Sequence, residues 1–224
     1  MENQVTREGF INALNTLSNF MASKPIFQEY GQVRLIAFGG FNSVCYFGTR
    51  TSTYDLDYYT TGHVAADGVT LYDAPSNVTQ ALEDLIYRVA GLYPNNLHED
   101  WANDRVTIFV DQSQRAEDII RRSFQQNIII YQTPQLVVYM GDLVFQLVQK
   151  LFMIKSELSS RNRRSDLIDA TTFAAYFGNV IGRNMTLAQL SLEWPMHMAQ
   201  VGQEEVDRVN AMGQSMYGRR VLDY

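Results

Sequence analysis

The sequence predicts a mixed α/β fold of the α+β kind, in which a mixed sheet with flanking helices is followed by a C-terminal helical region. Short runs of β-branched and apolar residues alternate with amphipathic stretches before residue 141. Beyond residue 141 the apolar residues show only the three- and four-residue spacing of helices. A chain of 224 residues that is 46% hydrophobic can also bury a sizeable core. We therefore predict an α/β domain over residues 1–140 and a helical domain over residues 141–224 packed against it.

The first elements are predicted from apolar spacing. Val5 to Met21 is predicted to be a helix, because its apolar residues recur three and four positions apart. A buried strand from Gln32 to Phe38 follows, since nearly all of its residues are apolar or β-branched. A short helix is expected over Phe41 to Phe47 and a second strand over Leu56 to Thr60. Asp67-Gly68 then predicts a turn.

The rest of the α/β region alternates in the same way. A helix is predicted from Asn77 to Ala90, where one face is apolar and Gly91 follows as a stop signal. Gln114 to Phe124 is predicted to be a further helix. Three more strands are expected, at Val106 to Val110, Ile128 to Tyr131 and Leu136 to Met140. Strands interleaved with helices predict a mixed sheet.

Four helices are predicted beyond Gly141. Their ends are indicated by capping residues and by helix breakers. The four run from Leu143 to near Ser159-Ser160, from near Ser165 to Gly178, from a Thr186 cap to a stop at Pro195, and from Gln203 to Met216.

Composition narrows the possible functions. A net charge of −6 and a pI near 5.0 argue against a general nucleic-acid binder, which needs a basic face. The single cysteine, Cys45, excludes an internal disulfide framework and fits a reducing compartment. No apolar window reaches the roughly 20 residues of a membrane span, and the first residues lack the layout of a signal peptide. We expect a cytoplasmic protein with no membrane partner.

The most informative motif combines Gly39-Gly40 with Asp55 and Asp57. Glycines at the end of a strand let backbone N–H groups approach a phosphate. Residues i and i+2 of a strand project from one face, so both carboxylates can reach one divalent cation or a pair of cations. Together the two halves indicate metal-assisted phosphoryl or nucleotidyl transfer. The simpler interpretation is a strand-to-helix turn beside acids that cap a helix or lie in a surface loop.

Two segments carry a resemblance to a known family. The first runs from Leu35 to Gly40, through the loop Tyr46 to Thr53, to Asp55-Leu56-Asp57. The second joins Lys150-Leu151 to four residues downstream, Arg161, Asp166, Leu167 and Asp169. In this order of motifs the chain resembles the nucleotidyltransferase superfamily, and within it the group of AbiEii-type and MNT-type toxin–antitoxin enzymes.

The resemblance implies a reaction and a set of metal ligands. The reaction is the Mg²⁺-dependent transfer of a nucleoside monophosphate from a nucleoside triphosphate to a hydroxyl of an RNA or protein acceptor. Asp55 and Asp57 would be catalytic ligands of Mg²⁺. The family's third carboxylate lies on a later strand, and we expect it at Asp111, which follows the predicted strand Val106 to Val110. Asp104 and Asp142 are the alternatives.

The resemblance also implies phosphate-binding residues. Gly39-Gly40 and the hydroxyl of Ser43 would hold the outer phosphates of the nucleotide. Lys150 would contact a phosphate, or else its side chain would extend from an apolar helix to the surface. Arg50 would bind a phosphate bidentately or pair with one of the two acids.

Two other functions are compatible with the same pattern. The scaffold could serve as an interaction or structural module without catalysis. Alternatively, the chain could bind a nucleotide as a sensor without transferring any part of it.

Overall fold

A computed structural model describes residues 4–62, 74–155 and 163–224 of the chain. The chain divides into two compact units, residues 1–141 and 142–224. The predicted mixed α/β fold is confirmed, since a mixed five-stranded sheet is flanked by helices. The turn predicted at Asp67-Gly68 lies outside the described residues, as does Arg161.

The first unit contains the sheet. In chain order its elements are β1 (Val5–Thr6), α1 (Arg7–Ala22), α2 (Pro25–Tyr30), β2 (Val33–Phe38), α3 (Gly40–Cys45), β3 (Ser52–Thr53), β4 (Leu56–Thr61), α4 (Ser76–Leu92), β5 (Ala102–Asn103), α5 (Val106–Gln112), α6 (Ala116–Gln126), β6 (Ile129–Gln132) and β7 (Leu136–Met140).

The strand order of the main sheet is β5-β4-β2-β7-β6. The central strand β2 is antiparallel to β4 and parallel to β7, and β5 is parallel to β4 at one edge. The carboxyl end of β2 therefore lies beside the amino ends of β4 and β5. The register pairs Phe38 with Asp57 and Asp57 with Asn103. This edge brings the glycine turn next to the acids.

The two faces of the sheet differ in what covers them. Leu56 and Tyr58 of β4 belong to the main core. Helix α1 contributes Leu14 and Leu17 to this core, and helix α4 contributes Leu82. Because side chains alternate along a strand, Asp57 projects from the opposite face. Helix α6 packs on that opposite face, where the rings of Phe124 and Tyr139 meet edge to face at 5.0 Å.

One predicted strand is wrong. The run Val106 to Val110 forms α5, and the two-residue strand β5 pairs with β4 instead. Val106 and Val110 are buried, whereas Ile108 and Phe109 are 59% and 52% exposed. Burial of residues four positions apart is the pattern of a helix resting on one side. Packing against the unit has therefore outweighed the high strand propensity of this run.

The second unit is mainly helical. Its elements are α7 (Leu143–Lys155), α8 (Arg163–Ile181), β8 (Met185–Thr186), α9 (Leu187–Glu193), α10 (Pro195–Met198), α11 (Gln203–Tyr217) and β9 (Leu222–Asp223). A helix is found in each of the four predicted segments, and the predicted Thr186 cap is confirmed. The end predicted near Ser159-Ser160 lies outside the described residues, and α8 already includes Arg163, before the start predicted near Ser165. The Thr186 hydroxyl accepts a hydrogen bond from Gln189 N at 3.1 Å, while Thr186 N donates to Gln189 Oε1, which is a capping box. The parallel pair of β8 and β9 was not predicted.

None of the helices within residues 4–62, 74–155 and 163–224 is both long enough and apolar enough to cross a membrane.

Candidate functional site

The turn after β2 places a carboxylate against a glycine. Gly39 has a φ of 71°, a conformation that favours glycine, and α3 begins at the next residue. A Cβ at Gly39 would lie 3.4 Å from Asp57 Oδ2. The antiparallel register of β2 and β4 causes this approach, because it sets Phe38 opposite Asp57. The structure thus brings Asp57 and the glycine turn together.

Gly40 is the contact point for a basic side chain. A Cβ at Gly40 would lie 2.6 Å from Arg50 Nη1 and would overlap the hydroxyl of Thr53. The loop after α3 folds back to make this approach, since Ser43 O accepts hydrogen bonds from Thr49 N at 3.0 Å and Arg50 N at 3.4 Å. The guanidinium of Arg50 is therefore the positive group beside the turn.

Ser43 lies in the interior. Its side chain is 0% exposed, and among the described residues its hydroxyl has no hydrogen-bond partner. Asn42, next to it, is also buried and donates from Nδ2 to Ala37 O at 2.9 Å. A nucleotide phosphate at the surface of the turn would not reach Ser43 in this conformation.

An amide that sequence reasoning did not assign to the site bonds to one of the two acids and is in register with the other. Asp55 and Asp57 are both partly exposed, and Asp55 Oδ2 accepts a hydrogen bond from Asn103 Nδ2 at 3.2 Å. Asn103 is also the register partner of Asp57. The amide of Asn103 therefore occupies the position next to both carboxylates. A two-residue strand carries no periodicity of its own, so no local signal marked Asn103.

The expected third carboxylate is not found at the end of a strand. Asp111 lies exposed in the last turn of α5, where it lines a surface concavity with residues 114–118. Within the part of the chain that the structure describes, no group of three or more His, Cys, Asp or Glu side chains is placed to hold a metal ion. Asp55, Asp57 and Asp111 thus do not form such a group.

The two alternative acids have interactions of their own. Burial raises the pKa of Tyr58, which lies on the core face of the sheet, and the charge of Asp104 raises it further. Burial also raises the pKa of Glu83, and the charge of Asp104 again adds to this effect. Asp142 belongs to the second unit, where its Oδ1 accepts a hydrogen bond from Val144 N at 2.9 Å.

The side chains at this strand end match the ligands that Mg²⁺ takes in nucleotide sites. In nucleotide sites this ion is usually bound through one or two carboxylates, and phosphates and water complete its shell. Asp55 and Asp57 supply two carboxylates from one strand end, beside the turn at Gly39 and the guanidinium of Arg50. These residues fit one Mg²⁺ that carries a nucleotide.

Lys150 is held by two acids of its own unit. Its Nζ lies 2.8 Å from Asp166 Oδ1 and 3.1 Å from Asp169 Oδ2, and both acids are buried. Burial alone would lower the pKa of Lys150, but the charges of Asp169 and Asp166 and their hydrogen bonds raise it above its ordinary value. The side chain is only 18% exposed, so the expectation that it extends to the surface is wrong. Its charge is neutralised by the α8 acids.

Comparison with protein-family models, with curated proteins and with solved structures finds no match to this chain. Its function must therefore be inferred from the chemistry and geometry of the residues around the glycine turn.

Proposed function

We propose that this chain is a nucleotidyltransferase-like protein that binds a Mg²⁺–nucleoside triphosphate at Gly39-Gly40, Arg50, Asp55 and Asp57. It transfers the nucleoside monophosphate to a hydroxyl of an RNA or protein acceptor. The observation that carries the proposal is the approach of Asp57 Oδ2 to Gly39, because it sets a cation ligand beside a backbone turn open to phosphate. We place this activity in the cytoplasm, in keeping with a single free cysteine.

Each residue has a defined task in this proposal. Gly39 has no Cβ, so a phosphate oxygen can approach its backbone closely, while the space beside Gly40 admits the guanidinium of Arg50. Arg50 offsets the negative charge that develops on the triphosphate. Asp55 and Asp57 would hold a Mg²⁺ ion, which would screen the charge of the phosphate oxygens. The acceptor oxygen would displace pyrophosphate from the α-phosphorus, and the proton of its hydroxyl would pass to water.

Three residues that the resemblance implied are left out of the proposed site, and one of them, Asp111, lies exposed in the last turn of α5. Ser43 is fully buried, and the charge of Lys150 is already neutralised by Asp166 and Asp169.

A second function, nucleotide binding without transfer, is favoured by one observation. The residue in register with Asp57 on the neighbouring strand is Asn103, an amide rather than a carboxylate. An amide can orient an acid, but it cannot take a proton from an acceptor hydroxyl at neutral pH. Such a protein would act as a sensor of Mg²⁺–nucleotide.

A labelled-nucleotide experiment tests both functions. The purified chain is incubated with Mg²⁺ and each of the four nucleoside triphosphates, labelled at the α-phosphate, together with total RNA and soluble protein from cells. Nucleotidyl transfer predicts label on RNA or protein and release of pyrophosphate. Asp57→Asn should reduce transfer by about 100-fold or more, because the metal contributes several kcal/mol of charge stabilisation.

The matched control is Asp111→Asn, which makes the same chemical change on an exposed helix and should leave transfer unchanged. Calorimetric titration of the same proteins separates the two functions. Mg²⁺-dependent binding without label incorporation would support the sensor. No Mg²⁺-dependent binding of any of the four nucleotides would contradict both functions.

A further inference from the structure

Asn103 bonds to Asp55 and is in register with Asp57, and its role follows from its hydrogen bonds. We infer that Asn103 is a positioning residue that fixes Asp55 and restricts the acidic site to one divalent cation. This inference rests on the proposed function, since it concerns the metal of the same site. It predicts a metal stoichiometry that can be measured without any turnover.

The orientation of the Asn103 amide is determined by its neighbours. The backbone N–H of Arg105 can only donate, and it lies 3.1 Å from Asn103 Oδ1. The other end of the amide must therefore be Nδ2. That nitrogen donates to Asp55 Oδ2 at 3.2 Å and to Asp100 O at 3.4 Å. Both ends of the amide are engaged, and they direct an N–H group at the carboxylate.

The segment around Asn103 is tied together by its own contacts. Strand β5 has only two residues, so its pairing with β4 offers few backbone hydrogen bonds. Trp101, which precedes it, is fully buried, and its carbonyl accepts a hydrogen bond from Leu56 N at 2.8 Å. The Arg105 guanidinium forms a salt bridge with Asp100. These contacts hold Asn103 in place before any ligand binds.

The hydrogen bond to Asp55 limits how many cations the acids can hold. An N–H donor occupies a lone-pair direction of Asp55 Oδ2 that a second cation would otherwise use. Its hydrogen also carries partial positive charge, which repels a cation. A second ion would need a further carboxylate at this place, and an amide supplies no negative charge.

Mn²⁺ titration provides the test, because this ion is detected directly by electron paramagnetic resonance. The full chain is titrated with Mn²⁺ in the presence of a non-hydrolysable nucleoside triphosphate analogue, and the signal of free Mn²⁺ gives the number of bound ions. Chain and analogue are kept equimolar, so the count includes every ion that the complex holds, the one that the nucleotide carries among them. We expect one bound ion per complex for the wild type and two for Asn103→Asp.

Two further variants separate positioning from charge. Asn103→Ala removes the N–H donor to Asp55 and should weaken Mn²⁺ binding by roughly 10-fold. Loss of a residue that orients a metal ligand lowers metal affinity by at least about that factor. Asn96→Asp adds the same negative charge at an exposed position of the first unit and should change neither the stoichiometry nor the affinity. Thermal melting of each variant verifies that it is folded.

The outcomes distinguish the inference from the proposed function. Two bound ions per wild-type complex, or a single ion in the complex of a folded Asn103→Asp, would overturn the inference while leaving nucleotide binding in place. Absence of Mn²⁺ binding and of nucleotide binding in the wild type would overturn the proposed function, and the inference with it.

Discussion

The guanidinium of Arg50 occupies the space where a side chain at Gly40 would begin, with Nη1 2.6 Å from the Cβ position. Gly40 thereby has two functions, since it starts α3 and it lets the basic residue reach the turn. The same space is bounded by Thr53, which is buried and pairs with Val5 of β1. A methyl group at position 40 must therefore displace both neighbours.

Gly40→Ala is expected to destabilise the first unit by about 1–3 kcal/mol, the usual cost of overpacking. It should also weaken binding of Mg²⁺–nucleotide, because Arg50 is pushed away from the turn. Urea unfolding and calorimetric titration measure the two effects. Gly91→Ala is the matched control, since its Cβ meets nothing within 4 Å on helix α4. There the same change should stabilise the protein by about 0.5–1 kcal/mol. Equal effects of the two substitutions would contradict the close packing at Gly40.

Lys150→Met is expected to destabilise the protein by about 3–5 kcal/mol, because it leaves two buried carboxylates without their cation. Lys155→Met should cost less, since Lys155 is 42% exposed and its ammonium keeps contact with water. Urea unfolding at pH 7 compares the two variants. A Lys150→Met protein as stable as the wild type would show that the three groups contribute nothing to stability.

The same ion group predicts a dependence on alkaline pH. The folded-state pKa of Lys150 is raised above its ordinary value of 10.5. The stabilisation is therefore complete below that value, and it is lost as the pH rises through the folded-state pKa. Unfolding curves measured above pH 10 should show a steeper loss of stability for the wild type than for Lys150→Met. Parallel loss in the two proteins would contradict the pairing.

His197 predicts a dependence on acidic pH. Partial burial against the rings of Trp194 and Phe152 lowers its pKa below the ordinary 6.5. As the pH falls below 6.5, the unfolded chain binds the proton before the folded chain does, so protonation favours unfolding. Stability should fall between pH 6.5 and 5 in the wild type, and less so in His197→Gln. Thermal melting across this range tests the prediction, which fails if the two curves coincide.

Cys45 should be chemically silent in the folded protein. Burial raises the pKa of its thiol to about 12, although the nearby charge of Arg7 acts to lower it. Because the thiolate is the reactive form, iodoacetamide at pH 8 should leave Cys45 unmodified under native conditions and alkylate it in urea. Mass spectrometry of the intact chain measures the added group. Rapid labelling without urea would contradict the burial of Cys45.

Much of the architecture was predictable because helices and buried strands are encoded in neighbouring residues. The apolar spacing of α1, α4 and α11 and the apolar run of β2 are local properties. The glycine turn after β2 is local in the same sense, since Gly39 adopts a positive φ that few other residues tolerate. The order of these elements therefore follows from the sequence without knowledge of their partners.

Tertiary structure decided the features that depend on distant segments. The run Val106 to Val110 became a helix because only one side of it is buried against the unit, a fact that its own residues do not carry. Asn103 meets Asp55 across 48 positions of sequence, through a strand too short to show a pattern. Lys150 finds Asp166 and Asp169 only because α7 and α8 pack together. The sequence by itself thus determined which elements form and where the glycine turn lies. Long-range register and helix packing decided which polar groups stand beside the acids, because those contacts join residues that no local pattern connects.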